Sequence, residues 1–286
     1  MSESSLQTLK GKAALVTGGN RGLGRAFAVR LAQLGANVAV CDIDLSNHLE
    51  FERDRTQSRS MSAVDELSSL GVDAFAVEQD VADFDAQRQI AEMLIERWGR
   101  IDIAVCNAGG SVGLPGITMG PAMFASTLDP QELDLIVRRN LTATVSTCVA
   151  VAPAMKSQGA GSIVTLGSVN GIEALRSGAS AHYGSAKAAV VAYTRYLAQE
   201  LGPFGVRANC LLPGVTATGR AMSVMTTPDS EQFGKQAVEL EERNALRRVI
   251  QIDDCVAALE FLVTDASRFF TGHVLPVDGG ELRGPT

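Results

Sequence analysis

The chain lacks any excess of basic charge. Its 25 lysines and arginines stand against 32 acids, a net −7, and no run of either base would follow a phosphate backbone. Nucleic acid and anionic membrane surfaces are therefore disfavoured as partners. No apolar stretch approaches the roughly 20 residues a membrane helix needs. Met1 to Lys10 is polar and has no apolar centre of the kind found in a secretion signal, so a soluble, cytoplasmic protein is expected. There is no Cys-x-x-Cys. The five cysteines, Cys41, Cys106, Cys148, Cys210 and Cys255, are odd in number and widely spaced, and they read as reduced, mostly buried small hydrophobes. His48, His182 and His273 share no ligand spacing, and no metal site is expected.

What the chain does have is apolar residues, 46% of 286, enough for a sizeable core. Length alone permits one large domain or two small ones. Strand-like runs at 12–17, 37–41, 72–77, 101–106, 162–166, 206–212 and 273–277 alternate with helical patterns at 25–34, 62–70, 85–98, 131–156, 181–199 and 253–264. No linker or repeat interrupts them. Parallel neighbours need helical crossovers, so the alternation predicts a single domain of α/β class, a Rossmann-like doubly wound parallel sheet of about seven strands flanked by helices.

The first strand stops at Gly18-Gly19-Asn20-Arg21-Gly22-Leu23-Gly24, and a helical pattern follows. Glycines there let the backbone approach a diphosphate, and a helix N-terminus supplies free N–H groups with a positive dipole end. The alternative is a merely tight strand-to-helix turn. The second strand ends at Asp42, about 20 residues on, where a carboxylate can accept from adenosine ribose hydroxyls and would repel a 2′-phosphate. That favours NAD over NADP. Arg21 pulls the other way, because a guanidinium can pair with that phosphate, and Asp42 can also be read as an N-cap or turn residue. The charged stretch 45–60, with Arg53, Arg55 and Arg59, reads as an inserted surface loop: a solvated excursion, a lip over the adenosine end, or a subunit contact.

The fourth strand ends in Asn107-Ala108-Gly109-Gly110, small residues against which a flat ring or ribose can lie. Residues 111–127 form either a pocket border or an ordinary connection. The polar, Met-containing segment 219–245 suits a mobile flap. Asn140, near the middle of a long helical pattern, has poor helix propensity and needs a hydrogen-bond partner if it faces inward. Tyr183 and Lys187 lie four apart on a helical pattern, one turn above the other on one face. A cation beside a phenol favours the phenolate, which brings proton transfer toward neutral pH. By itself the spacing also describes a packed ring and a solvated charge.

Taken in order, these segments resemble the short-chain dehydrogenase/reductase family from about Leu9 to Gly280. Thr17-Gly18-Gly19-Asn20-Arg21-Gly22-Leu23-Gly24 is similar to its cofactor turn. Asn107-Ala108-Gly109, Ser168, Tyr183-x-x-x-Lys187, Pro213-Gly214 and Asp278-Gly279-Gly280 match its later motifs in register. The resemblance implies a catalytic set of Asn140, Ser168, Tyr183 and Lys187. Tyr183 would be the general base or acid, and Ser168 would hold the substrate oxygen. Lys187 would hold the nicotinamide ribose, and Asn140 would place a water beside Lys187. It also implies cofactor contacts from the glycine turn and Asp42, from Asp80 and Val81 at the adenine, from Asn107, Ala108 and Gly109 along the ribose, from Pro213 and Gly214, and from Thr216 or Thr218 near the nicotinamide amide. Thr216 stands where an aliphatic residue is usual, the spacing from Ser168 to Tyr183 is long, and 45–60 is extra.

The expected activity is hydride transfer between NAD and a secondary alcohol or ketone of cyclic, terpenoid or aromatic type. An NADPH-dependent carbonyl reductase is the alternative, and a dinucleotide-sensing protein without turnover the remote one. The family resemblance points to a homotetramer, with Ala189, Val190 and Val191 expected to face outward.

Overall fold

The computed structural model describes residues 8–47, 50–51, 61–111, 121–226 and 244–281. His48, most of the 45–60 stretch, 112–120 and 227–243 lie outside them. Among the described residues, β1 (Ala13–Thr17) leads into α1 (Gly22–Gln33), then β2 (Asn37–Asp42), α2 (Ala63–Ser69), β3 (Ala74–Glu78), α3 (Phe84–Trp98) and β4 (Ile103–Cys106). The second half runs through α4 (Pro130–Val137), α5 (Ala143–Gln158), β5 (Gly161–Leu166), α6 (Ala181–Leu201), β6 (Val206–Pro213), α7 (Gly219–Thr226), α8 (Ile252–Val263) and β7 (Val274–Val277).

The seven strands form one sheet in the order β3-β2-β1-β4-β5-β6-β7, and every pairing is parallel. Alternate strand residues feed two cores. Ala14, Val16, Val38, Val40 and Val105 face α1, α2 and α8 through Phe27, Leu31, Leu67 and Leu259. Leu15, Ala39, Ala104 and Ile163 face α3, α5 and α6 through Ile90, Leu94, Val151, Met155 and Leu197. Both faces are covered, which is why the strands read as continuous apolar runs. Each fully buried Leu, Ile or Phe contributes roughly 1.5–3 kcal/mol. From β1 the chain moves outward to β2 and β3, then returns to β4 on the other side of β1. A crevice therefore opens at the carboxyl ends of β1 and β4, where such sheets bind ligands.

Two expectations change. The helical pattern after Gln131 is interrupted: α4 and α5 are joined by a π turn, Arg138–Thr142, centred on Asn140. The Asn140 side-chain amide donates to the Ile136 carbonyl at 2.9 Å, four residues back, and so competes with the backbone ladder. Val190 and Val191 do not face outward but are buried against Cys210 and Leu212; the outward stripe of α6 is Ala188, Ala192 and Tyr196, the last 79% exposed. Of the 219–245 segment, the helix α7 and residues 244–245 are described. All five cysteines are buried and reduced. Among the described residues there is no helix long and apolar enough to cross a membrane and no cluster of metal-ligating side chains.

Candidate active site

The floor of the crevice is built from the two strand ends. At Gly18, φ is +62° and an added Cβ would stand 2.9 Å from Ala108 Cα; at Gly24 it would run into the Gly18 carbonyl oxygen. Asn107 Nδ2 donates to the Thr17 and Gly18 carbonyls at 3.1 and 3.0 Å, and Ala108 N donates to Thr17 Oγ1 at 3.2 Å. The Asn107 amide and the Ala108 backbone thus clamp the glycine turn. Helix α1 begins with no capping side chain and no acid in its first turn, and Leu23 packs its start onto the core. Its positive end is left uncompensated, which suits an anion. Cβ-free positions, a clamped turn and an uncapped helix together fit the diphosphate of a dinucleotide.

At one end of the crevice stands Asp42, 8% exposed. Its Oδ2 accepts from Asn20 N at 3.1 Å and its Oδ1 from Ile43 N at 2.9 Å. Burial pushes its carboxyl up, while these two N–H groups and Arg21 pull it down. The Asn20 side chain donates to the Asp44 carbonyl and to Asn47 Oδ1. Arg21 is not free for a phosphate: it ion-pairs with Glu50 and its guanidinium lies 5.0 Å from the Phe51 ring centroid. The start of the inserted stretch thus folds back on the glycine turn. Asp80 accepts from Ala82 N at 2.9 Å and from Arg138 at 2.7 Å. Although burial opposes them, these partners hold its carboxyl below the usual range. Val81 beside it is buried.

At the other end, Ser168 follows β5, and its Oγ accepts from Asn170 N at 3.2 Å. Tyr183, half-buried, enters from the first turn of α6, with Ser168 near enough to its phenol to oppose the effect of burial. Lys187 is 3% exposed. Its Nζ donates to the Leu166 carbonyl at 2.7 Å and sits 5.7 Å from the Tyr183 ring centroid. Residues four apart do share a face here. The expected electrostatics differ, however: burial raises the Tyr183 phenol despite Ser168 and Arg220, and burial pushes Lys187 down to about 8. Lys187 aims at a strand-end carbonyl beneath the ring, and the cation that acts on the phenol is Arg220.

Asn140 is fully buried. Its Oδ1 accepts from Gly110 N at 2.9 Å and its Nδ2 donates to Gly110 O at 3.0 Å. With the bond to Ile136, its side chain is occupied in fixing the Gly109-Gly110 floor. Gly109 has φ +143°, and a Cβ there would meet Asn140 Oδ1 at 2.6 Å.

Pro213 ends β6, and Gly214 N donates to the Val277 carbonyl at 3.0 Å. Thr216 Oγ1 turns to the Gly214 carbonyl and to Cys255, away from the glycine turn. Thr218 faces that turn, with its Cβ and Cγ2 3.9 Å from a Cβ placed on Gly22. Of the two threonines, the side chain at the crevice is therefore Thr218. Sequence reasoning passed over Glu50 and Arg220. No local signal marks Glu50; Arg220 carries one, a lone cation two residues beyond Thr218 in the first turn of a short helix.

Residues 18–281 match a family described as enoyl-(acyl carrier protein) reductase, which is of the short-chain dehydrogenase/reductase type. Cyclohexanol dehydrogenase of Rhodococcus sp. (strain TK6) is 44% identical over 272 residues, covering 95% of this chain and 96% of that protein. The crystal structure of levodione reductase aligns with a TM-score of 0.80 at 30% identity, over 96% of this chain and 98% of that one. A 3-oxoacyl-[acyl-carrier protein] reductase from Brucella melitensis, solved with bound NAD, aligns with a TM-score of 0.77 at 29% identity, over 99% and 97%.

Proposed function

The chain belongs to the short-chain dehydrogenase/reductase family, and from that membership we propose that it is an NAD-dependent dehydrogenase of cyclic secondary alcohols, reversible with the ketones. The observation that carries this reading is the Lys187 Nζ 5.7 Å from the Tyr183 ring centroid, with Ser168 near the same phenol, at the β5 end of a crevice whose other wall is a Cβ-free turn. The similarity to a cyclohexanol dehydrogenase supports the substrate class.

NAD would lie along Gly18, Asn20, Arg21, Gly22, Leu23 and Gly24, with Asp42 at its adenosine ribose, Asp80 and Val81 at the adenine, and Asn107, Ala108 and Gly109 beneath. Pro213, Gly214 and Thr218 would border its nicotinamide end. When bound it supplies the hydride acceptor. Tyr183 as phenolate takes the alcohol proton in oxidation, and as phenol returns it in reduction. The Ser168 hydroxyl holds the substrate oxygen in line with that transfer. Lys187, cationic at neutral pH, stands ready to hold the nicotinamide ribose, while Arg220 is the cation that favours the phenolate. Asn140 keeps the floor rigid next to Lys187, where a water would pass protons to solvent.

Two further points support NAD over NADP: Glu50 already neutralises Arg21, and Asp42 would face a 2′-phosphate. The same reading makes the protein a cytoplasmic homotetramer, its α6 stripe of Ala188, Ala192 and Tyr196 covered by a second subunit; light scattering that finds only monomer at micromolar concentration would refute the assembly. The activity is tested by following nicotinamide absorbance with cyclohexanol and a panel of cyclic and aryl alcohols, using each oxidised cofactor. Turnover with NAD that is lost in Tyr183→Phe is the expected result. Inactivity across the panel, or undiminished turnover in the variant, would sink the proposal, and a clear preference for NADP would overturn the role given to Asp42.

A further inference from the structure

Arg220 occupies the middle of the crevice, its guanidinium without a hydrogen-bond or ion-pair partner among the described residues. It stands in the first turn of α7, two residues after Thr218, and its guanidinium lies on the floor at Gly110. A Cβ added to Gly110 would be 3.2 Å from Arg220 Nη2 and 3.4 Å from Cζ. That floor is held from behind by Asn140, whose Oδ1 accepts from Gly110 N and whose Nδ2 donates to Gly110 O. The charged and titratable groups acting on Arg220 are Arg21, Asp42 and Glu50 from the glycine-turn side, and Tyr183 and Lys187 from the other.

Among the described residues no carboxylate pairs with it. Asp42 is engaged by the Asn20 and Ile43 N–H groups, and Glu50 by Arg21. A half-buried guanidinium with a second guanidinium nearby is unfavourable unless an anion joins it. Arginine's planar fork is matched to phosphate oxygens.

The position identifies the anion. On the reading proposed above, adenosine lies toward Asp42 and the reacting ring toward Tyr183, so the diphosphate joining them crosses the α1 N-terminus and Gly110, where Arg220 sits. We propose that Arg220 is a diphosphate-binding residue, carried on α7, that clamps the dinucleotide against the uncapped start of α1. The inference rests on the dinucleotide assignment and adds to it a residue outside the glycine turn. It gives α7 the role of the closing element: Thr218 meets the turn at Gly22 while Arg220 neutralises the charge one step further in.

Calorimetric titration of the full-length protein tests it with two probes: ADP-ribose, which has the diphosphate but no nicotinamide, and adenosine, which has neither. Arg220→Gln should weaken ADP-ribose and NAD about tenfold to a hundredfold, as expected for a lost charge-assisted pair, and leave adenosine within about twofold. Arg220→Lys, which keeps the charge without the fork, should fall between wild type and Arg220→Gln. In turnover, KM for NAD should rise about tenfold or more in Arg220→Gln, as expected of a lost binding contact, and an unchanged KM would count against the assignment. Binding of ADP-ribose by wild type with unchanged or tighter binding by Arg220→Gln would overturn the assignment of Arg220 alone. Failure of wild type to bind ADP-ribose at millimolar concentration would overturn the dinucleotide reading and this inference with it.

Discussion

Replacing Asn140 with alanine isolates the residue that ties the π turn to the crevice floor. Asn140→Ala removes three hydrogen bonds: from Gly110 N at 2.9 Å, to Gly110 O at 3.0 Å and to Ile136 O at 2.9 Å. Net loss is about 1 kcal/mol per bond, more where a buried group is left without a partner. The sum is about 3 kcal/mol, within a range of roughly 2–5. For a chain of this size that lowers Tm by roughly 6–12 °C. Differential scanning calorimetry or urea titration measures it, and a Tm within about 2 °C of wild type would refute the reasoning, since it would mean that water replaces all three contacts at no cost. Asn140→Asp sharpens the test. One introduced carboxyl oxygen would still accept from Gly110 N, but the other would face the Gly110 and Ile136 carbonyls, so the folded-state pKa rises above the unfolded value of about 3.9. A group raised in this way is well tolerated below its unfolded pKa, and its contribution is lost as pH rises through the folded value. The variant should therefore approach wild-type stability near pH 4 and fall behind it toward pH 8. A constant deficit across that interval would argue against the hydrogen-bond geometry.

Three other outcomes follow from the same site. Because burial raises the Tyr183 phenol, kcat/KM for alcohol oxidation should climb with pH by up to about tenfold per unit from 7 toward 9; a flat profile would show that Tyr183 does not limit proton removal. Gly24→Ala would push a methyl into the Gly18 carbonyl, so a stability loss of about 1–3 kcal/mol with collapse of NAD affinity is expected, and wild-type titration behaviour would contradict the clamped turn. Asp42→Ala should cost about tenfold in KM for NAD and narrow its advantage over NADP, since one charged acceptor is lost and one repulsive charge is removed; unchanged selectivity would leave Asp42 with a purely structural role.

Much of this protein follows from local chemistry that any reader of the chain can apply. The seven strands and their helices are legible because apolar periodicity and the punctuating glycines act over a few residues, and all-parallel pairing follows from the alternation. Tyr183 and Lys187 share a face because helix geometry places residues four apart together. Which way a face points is a different matter. Val190 and Val191 turned out to be core while Ala188, Ala192 and Tyr196 are surface, because the position of the sheet relative to α6 sets helix rotation, not the sequence of α6. The π turn at Asn140 exists because its amide finds Gly110, 30 residues away. Arg21 is removed from phosphate recognition by Glu50 and Phe51 across the inserted stretch. Thr216 and Thr218, two residues apart, face opposite ways because a bridge to Ile250 holds the first inward toward Cys255. Whether burial or a neighbouring cation governs Tyr183 was likewise decided by packing. The chain's own order determined a doubly wound sheet with a glycine turn and a tyrosine–lysine helix, since those depend on neighbours in sequence. Only the tertiary structure decided which charges meet in the crevice, because charge pairing depends on side chains that the fold brings together from distant segments.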